Sequence, residues 1–191
     1  MNPTLMSVAA MFTAIFIASG WALAMVPNIE VVTAVAFVSG VTLGARRGML
    51  IGAGGMFLFS ATNPVGSGLA FPLLLVSQIV AMAVVGGSGG IFFSVSLQKL
   101  HSTAGRLMLA VTGLAVTLLY DGLTSISFPL FSGAGRAEII AVLVAGLVFT
   151  LVHQISNTLI FFLLVPRLIE IGRGRVNPGA PTESGQQHQE P

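Results

Sequence analysis

The sequence predicts an all-α integral membrane protein, a bundle of six transmembrane helices with both termini cytoplasmic. Of its 191 residues 54% are apolar and only 7% charged, whereas a soluble domain carries about 25% charged residues. Mean hydropathy is +0.95, and polar breaks divide the apolar sequence into six runs. If all six runs span, the basic residues collect on one side, as membrane topology requires.

The first run, about 4–26, ends at Pro27-Asn28. Ala22-Leu23-Ala24 imitates a signal-cleavage site, but no Lys or Arg precedes the run, so it is expected to stay as a span. Within it Ala10, Ala14, Ala18 and Ala22 repeat every four residues. That spacing makes one smooth helix face, suited to internal packing or to close approach by another helix.

The second run, about 30–45, has 15 uncharged residues, Val31 to Ala45, between Glu30 and Arg46-Arg47. They make roughly 22 Å of helix, short of a hydrocarbon core of roughly 30 Å. Spanning then needs Glu30 in the outer polar layer and the arginines snorkelling to inner headgroups. Arg46-Arg47-Gly48 separates it from the third run, about 48–62, because two arginines in mid-span are costly. Asn63-Pro64-Val65-Gly66-Ser67-Gly68 ends the third run. The fourth covers about 70–97, and a polar hinge from Gln98 to Arg106 leads to the fifth, about 105–123. Ser132 to Arg136 precede the sixth, about 137–165. Together these form a membrane domain over 1–171. The rest, 172–191, is rich in Pro, Gly and Gln and is expected to be a disordered cytoplasmic tail.

With the N-terminus inside, inner segments hold Arg46, Arg47, Lys99, Arg106, Arg167, Arg173 and Arg175, and outer segments hold only Arg136. This is the positive-inside pattern, and a five- or seven-span count breaks it. The net charge of +2 is scattered, which gives no footprint for nucleic acid. There is no cysteine, which excludes disulfides, thiolate metal sites and cysteine catalysis. His101, His153 and His188 share no ligand spacing, so no metal or other cofactor is expected.

Polar groups gather at the outer ends of the expected helices. Asn28 and Glu30 sit in the first outer loop and Asn63 in the second. Tyr120 and Asp121 close the fifth helix, Arg136 and Glu138 open the sixth, Gln78 lies one or two turns into the fourth, and Trp21 lies near the end of the first. An aromatic wall with a few hydrogen-bonding groups suits a small-molecule pocket, while interfacial anchoring explains each residue singly. His153, Gln154 and Asn157 share one face of the sixth helix, roughly 24–30 Å from its outer end. That depth puts them in the inner half, as interhelical hydrogen bonds or a docking contact.

Gly86-Gly87-Ser88-Gly89-Gly90 reads as a close helix crossing. It also matches the G-x-S-G of rhomboid intramembrane serine proteases, with His153 as the base. Against that, no histidine precedes His101 and the first loop has no Trp-Arg pair.

As an ordered set, Pro27-Asn28-Ile29-Glu30, Gly44-Ala45-Arg46-Arg47-Gly48, Asn63-Pro64 and Tyr120-Asp121-Gly122-Leu123-Thr124 resemble the S components of energy-coupling factor (ECF) transporters, over about residues 4–168. The resemblance implies a non-enzymatic six-helix subunit of the bacterial or archaeal cytoplasmic membrane. Such a subunit binds a vitamin or related micronutrient at the outer face and delivers it inward with a transmembrane T component and two ABC ATPases. It implies substrate contacts at Asn28, Glu30, Asn63, Gln78, Tyr120 and Asp121, and T-component docking through Ala10, Ala14 and Ala18. No Walker A sequence occurs, so ATP hydrolysis falls to the partners. Riboflavin, cobalamin and thiamine-like substrates all remain open. The alternatives are the rhomboid-like protease built on Ser88 and His153, and a solitary facilitator that needs no ATPase.

Overall fold

A computed structural model describes residues 3–96 and 100–176. These form seven α-helices: α1 Pro3–Leu23, α2 Val32–Leu43, α3 Ala45–Ala61, α4 Pro72–Ser96, α5 Thr103–Phe131, α6 Arg136–Leu163 and α7 Val165–Val176, with a single 3₁₀ turn at Gly68–Ala70 and no strand. Four of them, α1, α4, α5 and α6, are long and apolar enough to cross a membrane. Large apolar side chains such as Leu50, Val111, Val144, Val148 and Phe149 are exposed on the bundle exterior, where lipid and not water must meet them. The chain is an all-helical, multi-pass membrane protein.

The shortness of the second run has a packing explanation. At 12 residues, α2 buries every side chain except Thr42, and α1, α3, α4, α6 and α7 all pack against it. Phe37 lies at its middle, with ring centroids 5.5 Å from Phe92 and 5.2 Å from Phe161. A helix enclosed by other helices need not match the lipid thickness. Only roughly 18 Å long, α2 is the core of the bundle.

Glycine lets α3 and α4 come this close to it. A Cβ at Gly40 would stand 1.9 Å from the Gly86 carbonyl oxygen, and one at Gly52 would stand 2.1 Å from that of Met82. Backbones therefore touch directly, and the Gly86–Gly90 stretch is this crossing. Ser88 sits within it and donates to its own helix, Oγ to the Val85 carbonyl at 2.7 Å. Gly44, at φ +91°, turns the chain from α2 into α3 in one residue through a conformation open chiefly to glycine. Arg47 then reaches back, Nη1 donating to the Leu43 carbonyl at 3.1 Å, where a cation complements the C-terminal end of α2.

Two elements differ from the sequence reading. The fifth helix does not close at Tyr120-Asp121 but runs ten residues further, to Phe131. Its hydroxyls are absorbed inside the helix, Thr124 donating to the Tyr120 carbonyl and Ser127 to the Thr124 carbonyl. The true stop is Gly133 at φ +70°, whose N–H donates to the Leu130 carbonyl. The chain after Leu164 also continues as a helix, α7, through Gly172–Val176, where the reading began a tail. Ile169 and Gly172 are buried against the bundle while Arg167, Arg173 and Arg175 are exposed; this amphipathic pattern explains the helix. Lys99, His188 and the tail from 177 onward lie outside the described residues.

His101 and Glu170 pair at 2.5 Å, and Gly172 packs on Thr42. Together they bring the α2–α3 turn, the start of α5 and α7 to one end of the bundle. Arg46, Arg47, Arg106, Arg167, Arg173 and Arg175 belong to that end, and Arg136 starts α6 at the other.

Candidate ligand-binding site

Glu30 is the hub of the polar interior. It lies two residues before α2 and accepts from the Thr33 backbone N–H, 2.9 Å from Oε2, so the carboxylate also caps the first turn of the core helix. Its Oε1 accepts from Asn157 Nδ2 at 2.8 Å and lies 3.4 Å from His153 Nε2. The other imidazole nitrogen, Nδ1, lies 2.6 Å from Asp121 Oδ1, and Gln154 Nε2 donates to Asp121 Oδ2 at 2.8 Å. The first loop, α5 and α6 are thus joined through carboxylate, imidazole and carboxylate. Asp121 fixes the imidazole so that Nε2 faces Glu30.

Local sequence accounts for each placement. His153, Gln154 and Asn157 fall on one helical face at i, i+1 and i+4, and all three are buried. Asn28 sits at φ +55°, a left-handed conformation that Asn tolerates better than most residues. That bend turns its carbonyl to accept from Ser156 Oγ at 3.0 Å. Five contacts in all, one to the backbone of Asn28 and four to the side chains of Glu30 and Asp121, seat the loop and α5 on one turn of α6.

Beside this network lies a cavity of about 220 Å³. Glu30, His153 and Tyr120 line it together with Asn28, Asn63, Met56, Phe59 and Met82. Tyr120 stands edge-on to His153, centroids 5.9 Å apart. Gln78 lies close behind Tyr120, and Gln78 Oε1 accepts from Ser60 Oγ at 3.1 Å. The cavity is therefore backed by the Ser60–Gln78 bond near Tyr120 and by the carboxylate–imidazole network at Glu30 and His153.

The structure brings together Asn28, Glu30, Asn63 and Tyr120 at the cavity lining, with Gln78 and Asp121 directly behind. Asn63 Oδ1 is spent on its own turn, accepting from the Val65 N–H, which leaves its amide NH₂ for the cavity. Other residues of the expected outer cluster lie elsewhere. The Glu138 carboxylate accepts from the Gly135 N–H at 2.6 Å as the cap of α6, and Trp21 is exposed beside the rim residue Gly20.

His153, Gln154 and Asn157 do make the expected interhelical hydrogen bonds, but to Asp121 and Glu30 of the group that was expected apart from them at the outer ends. Counting residues along α6 alone missed this, because α5 passes Asp121 by ten residues and so brings that carboxylate to the level of His153. The polar layer is inside the bundle, not at its outer ends. His153 is the site residue that position-counting missed, and the shared face it forms with Asn157 was the available signal.

No rhomboid-type pair forms, since Ser88 bonds its own helix and His153 is engaged by carboxylates on both nitrogens. Ala10, Ala14 and Ala18 are exposed, while α1 buries Val8, Phe12, Phe16 and Gly20 on its other face. The stripe does not pack internally. Comparisons with protein-family models, with curated proteins and with solved structures found no match.

Proposed function

We propose that this chain is a non-enzymatic, substrate-binding membrane subunit of the ECF S-component type. In this reading six helices span, α7 lies along the inner surface, and both termini are cytoplasmic. The basic end of the bundle is then the inner one. The cavity captures a micronutrient-class small molecule from outside for inward delivery. A T component and two ABC ATPases supply the driving force.

The observation that carries this reading is the cavity itself, which sets two aromatic side chains and a fixed carboxylate–imidazole pair around a space of ligand size. Membrane helices rarely hold charged groups without a functional reason, and packing alone would not leave Glu30 and His153 facing a void. The exposed alanine face of α1 supports docking, because a smooth outward stripe lets another helix approach closely.

Two measurements on purified full-length protein test it. Mass spectrometry of the small molecule retained through purification is expected to identify a micronutrient-class compound that is lost in Glu30→Gln. Ala14→Trp is expected to abolish co-purification with a T component while the melting temperature stays within the wild-type range. Undiminished co-purification of Ala14→Trp would sink the docking assignment.

A further inference from the structure

The charge balance of the cavity narrows what it accepts; this step rests on the binding reading above. Two carboxylates, Glu30 and Asp121, converge on one imidazole. Even with His153 protonated, the layer carries one uncompensated negative charge. No Lys or Arg lines the cavity, and the described arginines belong to the helix ends. Inside a membrane protein such a charge is costly until a cation pairs with it.

The hydrogen bonds of the layer identify the group that a ligand meets. The buried amide oxygens Gln154 Oε1 and Asn157 Oδ1 have no partner, and neither does Thr33 Oγ1. Their NH₂ groups are already committed to Asp121 and Glu30. None of these atoms lines the cavity, so the charged acceptor offered to a ligand's N–H groups is the Glu30 carboxylate, which does. Glu30 is the carboxylate placed to meet such a ligand. Its side chain keeps 20% exposure, lines the cavity and makes the long, 3.4 Å contact to the imidazole. Asp121 makes the short one and stands behind.

Size sets the remaining limit. A cavity of about 220 Å³ lies below the roughly 300–1,000 Å³ of sites for drug-sized ligands. It suits a one-ring molecule and not a corrinoid. Tyr120 and Phe59 are among the lining residues and supply aromatic surface of the kind that holds a ring or a cation.

We infer that the cavity selects a one-ring-sized monocation bearing N–H donors, an amidinium or protonated aromatic amine, over neutral and anionic molecules of the same shape, with Glu30 reading the charge. Asp121 is a positioning residue that acts through His153.

Three isosteric probes, benzamidinium, benzamide and benzoate, test this by calorimetry on the full-length protein in lipid nanodiscs. Benzamidinium is expected to bind roughly tenfold or more tighter than benzamide, as charge-assisted hydrogen bonds outweigh neutral ones, and benzoate not at all. Glu30→Gln keeps a carbonyl for the Thr33 N–H and is expected to bring the benzamidinium-to-benzamide ratio near one. Asp121→Asn keeps Glu30 in place and serves if Glu30→Gln does not fold; it is expected to lower the ratio by a smaller factor. Equal binding of benzamide or benzoate, an unchanged ratio in the variant, or binding of none of the three overturns the inference. Co-purification with the T component, read on the same preparation, shows separately whether the subunit reading survives.

Discussion

The α2–α3–α4 crossing and the loop–α5–α6 clasp hold the same core helix by opposite means. At the crossing, glycines bring backbones into contact, and almost no side chain intervenes. At the clasp, five side-chain hydrogen bonds reach across a gap wide enough to leave a cavity. A backbone contact has no spare volume and cannot adjust; a hydrogen-bonded clasp can open one bond at a time. In the proposed binding reading, the close-packed side of α2 is the rigid one and the clasp is the side from which a ligand enters.

Steric substitution breaks the comparison most severely. Gly52→Ala puts a methyl 2.1 Å from the Met82 carbonyl oxygen, whereas at Gly54, two residues along the same helix, an added Cβ meets nothing within 4 Å. Gly52→Ala is expected to cost about 3 kcal/mol or to prevent folding. Gly54→Ala is expected to be neutral or to stabilise by about 0.5–1 kcal/mol through helix propensity. Thermal denaturation in detergent of the two variants side by side checks the contrast, and equal melting temperatures would refute the crossing.

A smaller effect is expected from loosening the clasp. His153→Leu removes the link between Glu30 and Asp121, at an expected cost of about 1–2 kcal/mol, since hydrogen bonds between membrane helices are individually modest. The location of the loss matters more than its size. Hydrogen exchange is expected to accelerate in the 24–31 loop and the first turn of α2, with protection across α3 and α4 unchanged. Uniform acceleration over the whole bundle would mean that the two sides are not mechanically distinct.

How much of this the sequence discloses follows from what each residue depends on. Apolar runs and their breaks are local, so helix existence was readable, and so was the glycine crossing, because only glycine permits that approach. The end of α5 was not readable. Tyr120-Asp121 looks like a polar terminus until Asp121 is seen to be satisfied by two residues on α6, over thirty positions away in sequence. For the same reason four of the six expected site residues, Asn28, Glu30, Asn63 and Tyr120, fall on the cavity lining from residue type alone, with Gln78 and Asp121 behind it, while His153 could not be joined to them. Its partners come from a loop and a helix whose relative depths are fixed only by packing. The α7 pattern was legible in principle, but Gly172 and Gly174 weigh against a helix locally, and burial of Ile169 and Gly172 against the bundle overrides them.

The smallest expected effect is also the sharpest test between the rigid side and a catalytic one. Ser88 lies in the middle of the glycine crossing, and its hydroxyl is committed to the Val85 carbonyl at 2.7 Å. A hydroxyl bonded one turn back in its own helix contributes little, because such back-bonding competes weakly with the helical hydrogen bonds already made. Ser88→Ala is therefore expected to change stability by no more than about 0.5 kcal/mol, and to leave ligand binding and T-component association at wild-type levels. A nucleophile would behave otherwise, since its loss removes the reaction entirely. If Ser88→Ala abolishes proteolysis of a membrane substrate that the wild type cleaves, the crossing is an active site and the rigid side of α2 is the working one. If the variant is silent in melting temperature, binding and association alike, the serine is a partly buried residue of the crossing whose hydroxyl serves only its own helix.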